Sequence, residues 1–289
     1  MSNRIQGTTR LLGLVGDPIK HSRSPHMHNS ACDANGADYA YICFEVPSGE
    51  GQLKKVLESY KTLNVAGSNV TFPYKEEVIQ YLDHVSKEVE MIGACNTIVI
   101  DDETKEITGY NTDGAGLVKA VDELGVDFRG KKVVQYGVGG AGKAIAVMFA
   151  LEGVGELCIC QRTVEKYEAI AATIKEYAPN VKVRHIAGDD ATLKEELKDA
   201  VLFVNTTTMG YKGHEDECVI GSADVLNPDV FVYDIIYAPA ETKLMKFAKE
   251  AGAKTCNGIS MMLWQGAIAY KHFTGVDMPI DYVKKELGF

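Results

Sequence analysis

The sequence predicts an α/β protein of two domains, and three observations carry that expectation. Short apolar runs alternate with helical patterns along most of the chain, the arrangement of parallel β-α-β units. The length, 289 residues, suits about two domains. A glycine-rich turn, Gly137 to Gly142, directly follows an apolar strand, where a second alternating unit is under way.

In chain order, Leu11 to Val15 reads as a strand, followed by a polar loop from Asp17 to Pro25 and a helix from His26. Tyr39 to Val46 reads as a strand and Gly51 to Lys61 as a helix. Ala66 to Val70 is a short strand, and Pro73 suits the first turn of a helix carrying Glu76 to Leu82, because its missing N–H matters least there. Asn96 to Ile100 and Glu106 to Thr108 flank an acidic turn at Asp101-Asp102-Glu103. A helix from Gly116 to Leu124 and a turn at Phe128-Arg129-Gly130 lead to the buried-strand pattern Lys132 to Tyr136. Alternation continues through Leu157 to Cys160, the helix Tyr167 to Tyr177, Val181 to Ile186, Leu202 to Asn205 and Val230 to Asp234. The last helical pattern, Met261 to His272, is apolar on much of its circumference and is expected to pack back on the first unit.

Composition narrows the function. Hydrophobic residues at 46% and charged residues at 24% suit a globular chain, and a net charge of -10 argues against nonspecific binding to nucleic acid or an anionic membrane. No apolar run approaches the roughly 20 residues that span a bilayer, and Met1 to Arg10 is polar, without the apolar centre of a signal peptide. The seven cysteines are scattered and form no Cys-x-x-Cys, which reads as reduced thiols in a cytoplasmic protein. Cys158 and Cys160, two apart on a strand, share a face and read as buried structural thiols.

Gly137-Val138-Gly139-Gly140-Ala141-Gly142 matches Gly-x-Gly-x-x-Gly between a strand and the helical run Ala144 to Leu151. Glycines there permit a tight turn and let a pyrophosphate approach the positive end of the helix. An NAD site usually places a carboxylate at the tip of the next strand to hold the ribose hydroxyls. Here that tip reads Gln161-Arg162-Thr163, with Lys166 one turn later, a set suited to a 2'-phosphate. NADP is expected, with NAD possible.

Asn69-Val70-Thr71-Phe72-Pro73-Tyr74-Lys75 ends a strand, where ligands gather in α/β sheets. Alone, Lys75 reads as a solvated lysine. Its company changes that reading: His21-Ser22-Arg23-Ser24-Pro25 offers two hydroxyls, and Gly93 to Thr97 and Gly109 to Gly114 add further polar groups.

With these stretches assembled, the sequence resembles the shikimate dehydrogenase family over almost its whole length. The matches are Gly16 to Ile19 with His21 to Pro25, Asn69 to Lys75, Asn96-Thr97, Asn111 to Gly114, the glycine loop, Asp234 with Tyr237 and Pro239, and Met261 to Gln265. The resemblance implies a substrate-binding α/β domain of residues 1–112 and 258–289, a Rossmann domain of residues 113–257, and an active site in the cleft between them. It implies reversible NADP-linked reduction of 3-dehydroshikimate to shikimate, on the way to aromatic amino acids. By the same analogy Ser22 and Ser24 bind the substrate carboxylate, while Asn69, Thr71, Asn96, Asp113 and Gln265 bind its hydroxyls. Lys75 becomes the acid–base residue with Asp113 beside it, and Tyr237 lies near the substrate. Gly137, Gly139, Gly140, Ala141, Gly142, Gln161, Arg162, Thr163, Lys166, Thr206 and Gly258 are assigned to the cofactor. The chemistry agrees: reducing a ketone creates an alkoxide, which a lysine ammonium can protonate as it forms.

Some positions depart from the family pattern. Gln161 stands where Asn is usual, and Lys166 where many relatives carry Arg. Thr206 to Tyr211 only approximates the family's loop near the nicotinamide. Trp264 before Gln265 resembles the branch that accepts quinate as well as shikimate, often with NAD. The alternatives are therefore a quinate/shikimate dehydrogenase, a methylenetetrahydrofolate dehydrogenase-like enzyme, and a non-catalytic sensor of shikimate-like ligands. A small-molecule substrate is expected, with no nucleic acid or membrane partner, and a monomer or homodimer. No metal is expected, since His21, His26 and His28 lack the spacing and accompanying ligands of a zinc site. Met261 to Trp264 read as core packing, and Glu195, Glu196 and Lys198 as a solvated helix face.

Overall fold

The computed structural model describes residues 5–288, so the first four positions of the polar N-terminal stretch lie outside the described residues. The chain divides into two compact units: Met1–Thr112 with Gln265–Phe289, and Asp113–Trp264.

The first unit is built on a six-stranded sheet. Its strands are β1 (Arg10–Gly16), β2 (Tyr39–Glu45), β3 (Gly67–Val70), β4 (His84–Val85), β5 (Thr97–Ile100) and β6 (Ile107–Tyr110), in the order β2-β1-β3-β5-β6-β4. Helix α1 (Ser24–Asn35) joins β1 to β2, and α2 (Gln52–Thr62) joins β2 to β3. These crossovers leave β1, β2 and β3 parallel. The sheet is nonetheless mixed: β5 runs antiparallel to both β3 and β6, while β4 pairs with β6 in parallel. For β5 and β6 the physical reason is the connection: the short acidic turn between them can only make a hairpin, since a parallel return needs a longer crossover. In that turn the Asp101 carboxylate accepts the backbone N–H groups of Glu103 and Thr104 at 2.9 and 2.8 Å.

The helix expected after Pro73 is not α-helical. Residues 72–76 form turns, the Phe72–Pro73 peptide is cis, and a 3-10 helix covers Glu77–Tyr81. Helix α3 (Lys87–Ile92) was not anticipated; the Ser86 hydroxyl caps it by accepting the Val89 N–H, and Gly93 ends it at a φ of 67°. Leu53, Leu57 and Tyr60 of α2, spaced for one helix face, pack with Val15, Val70 and Ile98 on one side of the sheet. On the other side Leu12, Leu14, Tyr41 and Ala66 meet Ala269 and Phe273 of α9 (Ile259–Thr274). The apolar C-terminal helix therefore packs on the first sheet, and each large apolar side chain fully buried there contributes about 1.5–3 kcal/mol. Helix α10 (Ile280–Leu287) follows it, and the Leu287 carbonyl accepts from the Arg23 guanidinium at 2.5 Å.

The second unit carries β7 (Lys132–Tyr136), β8 (Glu156–Cys160), β9 (Lys182–Ile186), β10 (Leu202–Asn205), β11 (Phe231–Asp234) and β12 (Thr255–Cys256). All pair in parallel in the order β12-β11-β10-β7-β8-β9, a doubly wound sheet whose strand order reverses between β7 and β10. The helices are α4 (Asp113–Glu123), α5 (Gly140–Leu151), α6 (Val164–Tyr177), α7 (Asp190–Glu196) and α8 (Lys243–Glu250). Cys158 and Cys160 are buried free thiols in its core.

Glu196 corrects the reading of a solvated helix face. Its side chain is 15% exposed and bonds Arg184 at 2.5 Å and Lys132 at 2.7 Å, while Glu195 and Lys198 do face solvent. The Arg184 hydrogen bond chiefly holds the Glu196 carboxyl down at about 2. Glu156, Cys158 and Glu196 bring their ligand atoms within 4.8 Å of one another, but Arg184 and Lys132 already neutralise that cluster. Among the described residues no helix is long and apolar enough to cross a membrane.

Candidate active site

In the first unit the carboxyl ends of β1 and β3 carry the polar groups. After β1 the chain turns, with Ser22 N–H bonded to the Ile19 carbonyl at 3.0 Å. The Ser22 hydroxyl accepts the Ser24 N–H at 3.2 Å as α1 begins, which holds both serines in one bend. The Ser24 hydroxyl lies near the buried Tyr41 phenol of β2 and pulls its pKa down against the larger effect of burial.

Asn69, near the end of β3, is 6% exposed and lies between Leu14 of β1 and Thr97 of β5 in the strand register. The Tyr41 hydroxyl donates to Asn69 Oδ1 at 2.8 Å, and Asn69 Nδ2 donates to Thr97 Oγ1 at 3.1 Å and to the Asn96 carbonyl at 3.3 Å. Asn96 Oδ1 accepts from Thr97 Oγ1 at 2.9 Å and from the Thr112 N–H at 2.9 Å. Thr112 Oγ1 reaches Gln265 Oε1 at 3.4 Å. A continuous hydrogen-bond network, buried at Tyr41, Asn69, Asn96, Thr97 and Thr112, thus runs from Tyr41 to the half-buried Gln265.

Thr71 and Lys75 lie just beyond β3, both half-buried. The Thr71 N–H is held by the Val15 carbonyl at 2.9 Å, and the Lys75 carbonyl holds the Cys95 N–H at 2.8 Å, next to Asn96. Lys75 therefore sits in a braced turn rather than on a free helix end. His28, one of the expected decoys, is fully buried and stacks on Tyr41 with centroids 4.3 Å apart and rings 3° from parallel. Burial pushes its pKa down to about 3, so the ring is neutral, while His21 and His26 are exposed.

In the second unit Asp113 is buried at the first turn of α4, and Tyr237 is half-buried in the loop after β11. The glycine loop follows β7 and leads into α5. Gly137 takes a φ of 96°, and a Cβ on Gly142 would lie 2.6 Å from Thr206 Oγ1 and 2.8 Å from the Gly137 carbonyl, so neither position tolerates a side chain. Gln135 of β7 donates to the carbonyls of Gly137 and Gly142 at 2.9 and 2.8 Å, and Thr206 donates to Gly137 at 2.7 Å. The loop is thereby fixed with the open N-terminus of α5 ahead of it: Gly139 is the N-cap without a capping side chain, and Gly140 and Ala141 form the first turn. This cradle fits a dinucleotide pyrophosphate.

At the tip of β8, Gln161 turns toward the glycine loop, accepting the Val138 N–H at 3.1 Å. Arg162, Thr163 and Lys166 are exposed there, and among the described residues neither cation forms an ion pair with a carboxylate. Those two positive groups fit a 2'-phosphate. Gly258 is buried, its N–H bonded to the Ile236 carbonyl at 3.0 Å. Trp264 is half-buried with its Nε1 on Glu123 at 2.8 Å, whereas Met261, Met262 and Leu263 are buried as expected.

Sequence reading assigned no role to Tyr41, Thr97, Thr112, Gln135 or Asn205. Gln135 did leave a signal, a polar residue inside an apolar strand run. Tyr41 left none, since a tyrosine in a strand is ordinary.

The chain matches the family model described as the shikimate dehydrogenase substrate binding domain over residues 14–98, and that of the shikimate 5'-dehydrogenase C-terminal domain over residues 258–287. It is 46% identical to a shikimate dehydrogenase (NADP(+)) of Alkaliphilus metalliredigens, over 99% of this chain and 98% of that protein. Among solved structures it is similar to shikimate 5-dehydrogenase from Listeria monocytogenes in complex with shikimate and NAD, with a TM-score of 0.91 and 40% identity over 99% of each chain. It is also similar to quinate dehydrogenase from Corynebacterium glutamicum in complex with NAD, with a TM-score of 0.87 and 31% identity over 96% of this chain and 98% of that one. With so high an identity over nearly every residue, this chain belongs to the shikimate dehydrogenase family.

Proposed function

We propose that this protein is an NADP-dependent shikimate dehydrogenase of the cytoplasm, reducing 3-dehydroshikimate reversibly to shikimate for aromatic amino acid biosynthesis. The observation that carries the reading is the polar network from Tyr41 to Gln265, next to the braced turn of Lys75, in a chain 46% identical to a relative of that name. Such a set of directed donors and acceptors suits a small polyhydroxylated acid, and it needs no basic surface in a protein of net charge -10.

The first unit is the substrate-binding part. Ser22 and Ser24 hold the carboxylate; Asn69, Thr71, Asn96 and Gln265 hold the ring hydroxyls. The second unit is the cofactor-binding part. The glycine loop from Gly137 to Gly142 takes the pyrophosphate, Arg162, Thr163 and Lys166 take the 2'-phosphate, and Gln161, Thr206 and Gly258 shape the surrounding backbone. NADPH, when bound, supplies the reducing equivalent to the substrate carbonyl carbon. The Lys75 ammonium donates a proton to the carbonyl oxygen as negative charge grows there, and takes one back in the reverse direction. Asp113 orients that exchange and accepts from a substrate hydroxyl; Tyr237 borders the ring.

A quinate/shikimate dehydrogenase using NAD is the second reading. It is favoured by the inward-turned Gln161, which adds nothing to the 2'-phosphate grip of Arg162 and Lys166, and by the likeness to structures named with NAD. Steady-state rates with shikimate and quinate, each against NADP and NAD, test both. The first reading expects the highest kcat/KM with shikimate and NADP; a larger value with quinate and NAD replaces it with the second.

A further inference from the structure

The hydrogen-bond polarity at Asn69 follows from groups that can act in only one way. A backbone carbonyl only accepts, so the Asn96 carbonyl, 3.3 Å away, requires the nitrogen of the Asn69 amide to face it. A backbone N–H only donates, so the Thr112 N–H at 2.9 Å fixes which end of the Asn96 amide is oxygen. Thr97 Oγ1 gives its single proton to that oxygen at 2.9 Å and therefore accepts from Asn69 Nδ2 at 3.1 Å. Both hydrogens of the Asn69 amide are then committed. Only Oδ1 is left to meet a ligand, and one of its two lone pairs is taken by the Tyr41 hydroxyl at 2.8 Å.

Tyr41 is well placed to hold that bond. It is 1% exposed, and its ring is locked in a parallel stack on His28. Burial raises the Tyr41 phenol well above its ordinary range and keeps His28 neutral, so neither partner changes charge across the working range of pH.

We propose that Tyr41 and Thr97 are positioning residues that clamp the Asn69 amide from opposite sides and present it to the substrate as a pure hydrogen-bond acceptor. The site then admits a ring hydroxyl, which can donate, at the carbon facing Asn69. It discriminates against a carbonyl, ether or fluorine there, because two acceptors face each other with no proton between them. This inference rests on the reading of Asn69 as a substrate-binding residue.

The test is a double-mutant cycle on the intact enzyme. Tyr41→Phe keeps the stacked ring and removes the donor; Thr97→Val keeps the shape and removes the acceptor. Each is expected to raise KM for shikimate about tenfold, with kcat and the KM for NADP little changed. In an Asn69→Ala background Tyr41→Phe is expected to have no further effect on KM, because it acts through Asn69, while Thr97→Val keeps only the part that passes through its bond to Asn96. Among the monofluoro analogues in which one ring hydroxyl is replaced, one is expected to lose about tenfold in kcat/KM against wild type and to recover parity in Asn69→Ala. Thermal melts establish that each variant is folded, and Thr97→Val supplies the cycle should Tyr41→Phe fail to fold. Equal effects of Tyr41→Phe in the wild-type and Asn69→Ala backgrounds would overturn the clamp, as would a fluorine penalty independent of Asn69. Absence of shikimate turnover by the wild type is a different outcome, and it removes the proposed function itself.

Discussion

Asn205 and Asp234 are register partners at the carboxyl ends of the parallel strands β10 and β11, and the Asn205 amide donates to the Asp234 carboxylate at 3.0 Å. Asp234 is fully buried and also accepts from the Ile236 N–H at 3.1 Å and the Thr242 hydroxyl at 2.7 Å. One carboxylate thus fastens a strand tip, the start of the Tyr237 loop and the N-cap of α8.

This arrangement has a pH consequence. Burial raises the Asp234 pKa from 3.8 to about 6, against the opposing pull of its three donors. A raised carboxyl stabilises the fold below its unfolded value and loses that contribution as pH rises through its folded value. Between about pH 4 and 6 the wild type is expected to lose about 3 kcal/mol relative to Asp234→Asn, which cannot ionise. Urea unfolding of both proteins across that range measures it, and a pH-independent difference contradicts it.

Glu196 has the opposite sign. Its pKa is lowered from 4.5 to about 2, mainly by Arg184, so its contribution is present above 4.5 and is lost as pH falls toward 2. Glu196→Gln is expected to cost about 1–3 kcal/mol at pH 7, discounted for its partial exposure, with the loss shrinking below pH 4.5. Denaturant titrations at pH 7 and pH 3 compare the two; an unchanged midpoint at pH 7 would show the ion-pair cluster to be neutral for stability.

Lys75→Ala removes the proposed proton donor and leaves the glycine loop and the Arg162 cluster unchanged in sequence. The expected result is a fall in kcat of about 10²- to 10⁴-fold with NADP binding preserved. Stopped-flow and cofactor titration separate the two readouts. Near-normal kcat would remove Lys75 from the chemistry, whereas a fully inactive wild type with ligand binding intact would favour a sensor.

Arg162→Ala is expected to raise the KM for NADP about 10- to 100-fold, the value of a charge-assisted bond to phosphate, and to leave the KM for NAD little changed. Parallel rises in both would place Arg162 elsewhere on the dinucleotide.

Much of the fold was legible from local pattern. The apolar run of β7, the six-residue glycine turn and the helix behind it announce themselves within about twenty residues, because strand and helix periodicities and glycine geometry act over short stretches. The motif residues Ser22, Ser24, Asn69, Asn96 and Gln265 could be nominated from resemblance, yet nothing local says that Asn69, Asn96 and Gln265 share one network. Tyr41 joins it through a hydrogen bond across 28 positions and Gln265 through one across 153.

The sequence by itself therefore determined most of the element types, the turn after Pro73 and α3 excepted, with the phosphate cradle and the residue types of the site, since backbone sterics and side-chain chemistry belong to each residue. Only the tertiary structure decided that β5 runs antiparallel to β3, that Glu196 is an interior ion-pair partner, that Gln161 faces the glycine loop, and that Tyr41 orders Asn69. Those outcomes depend on which distant donor meets which acceptor, and on how much water is excluded when they do.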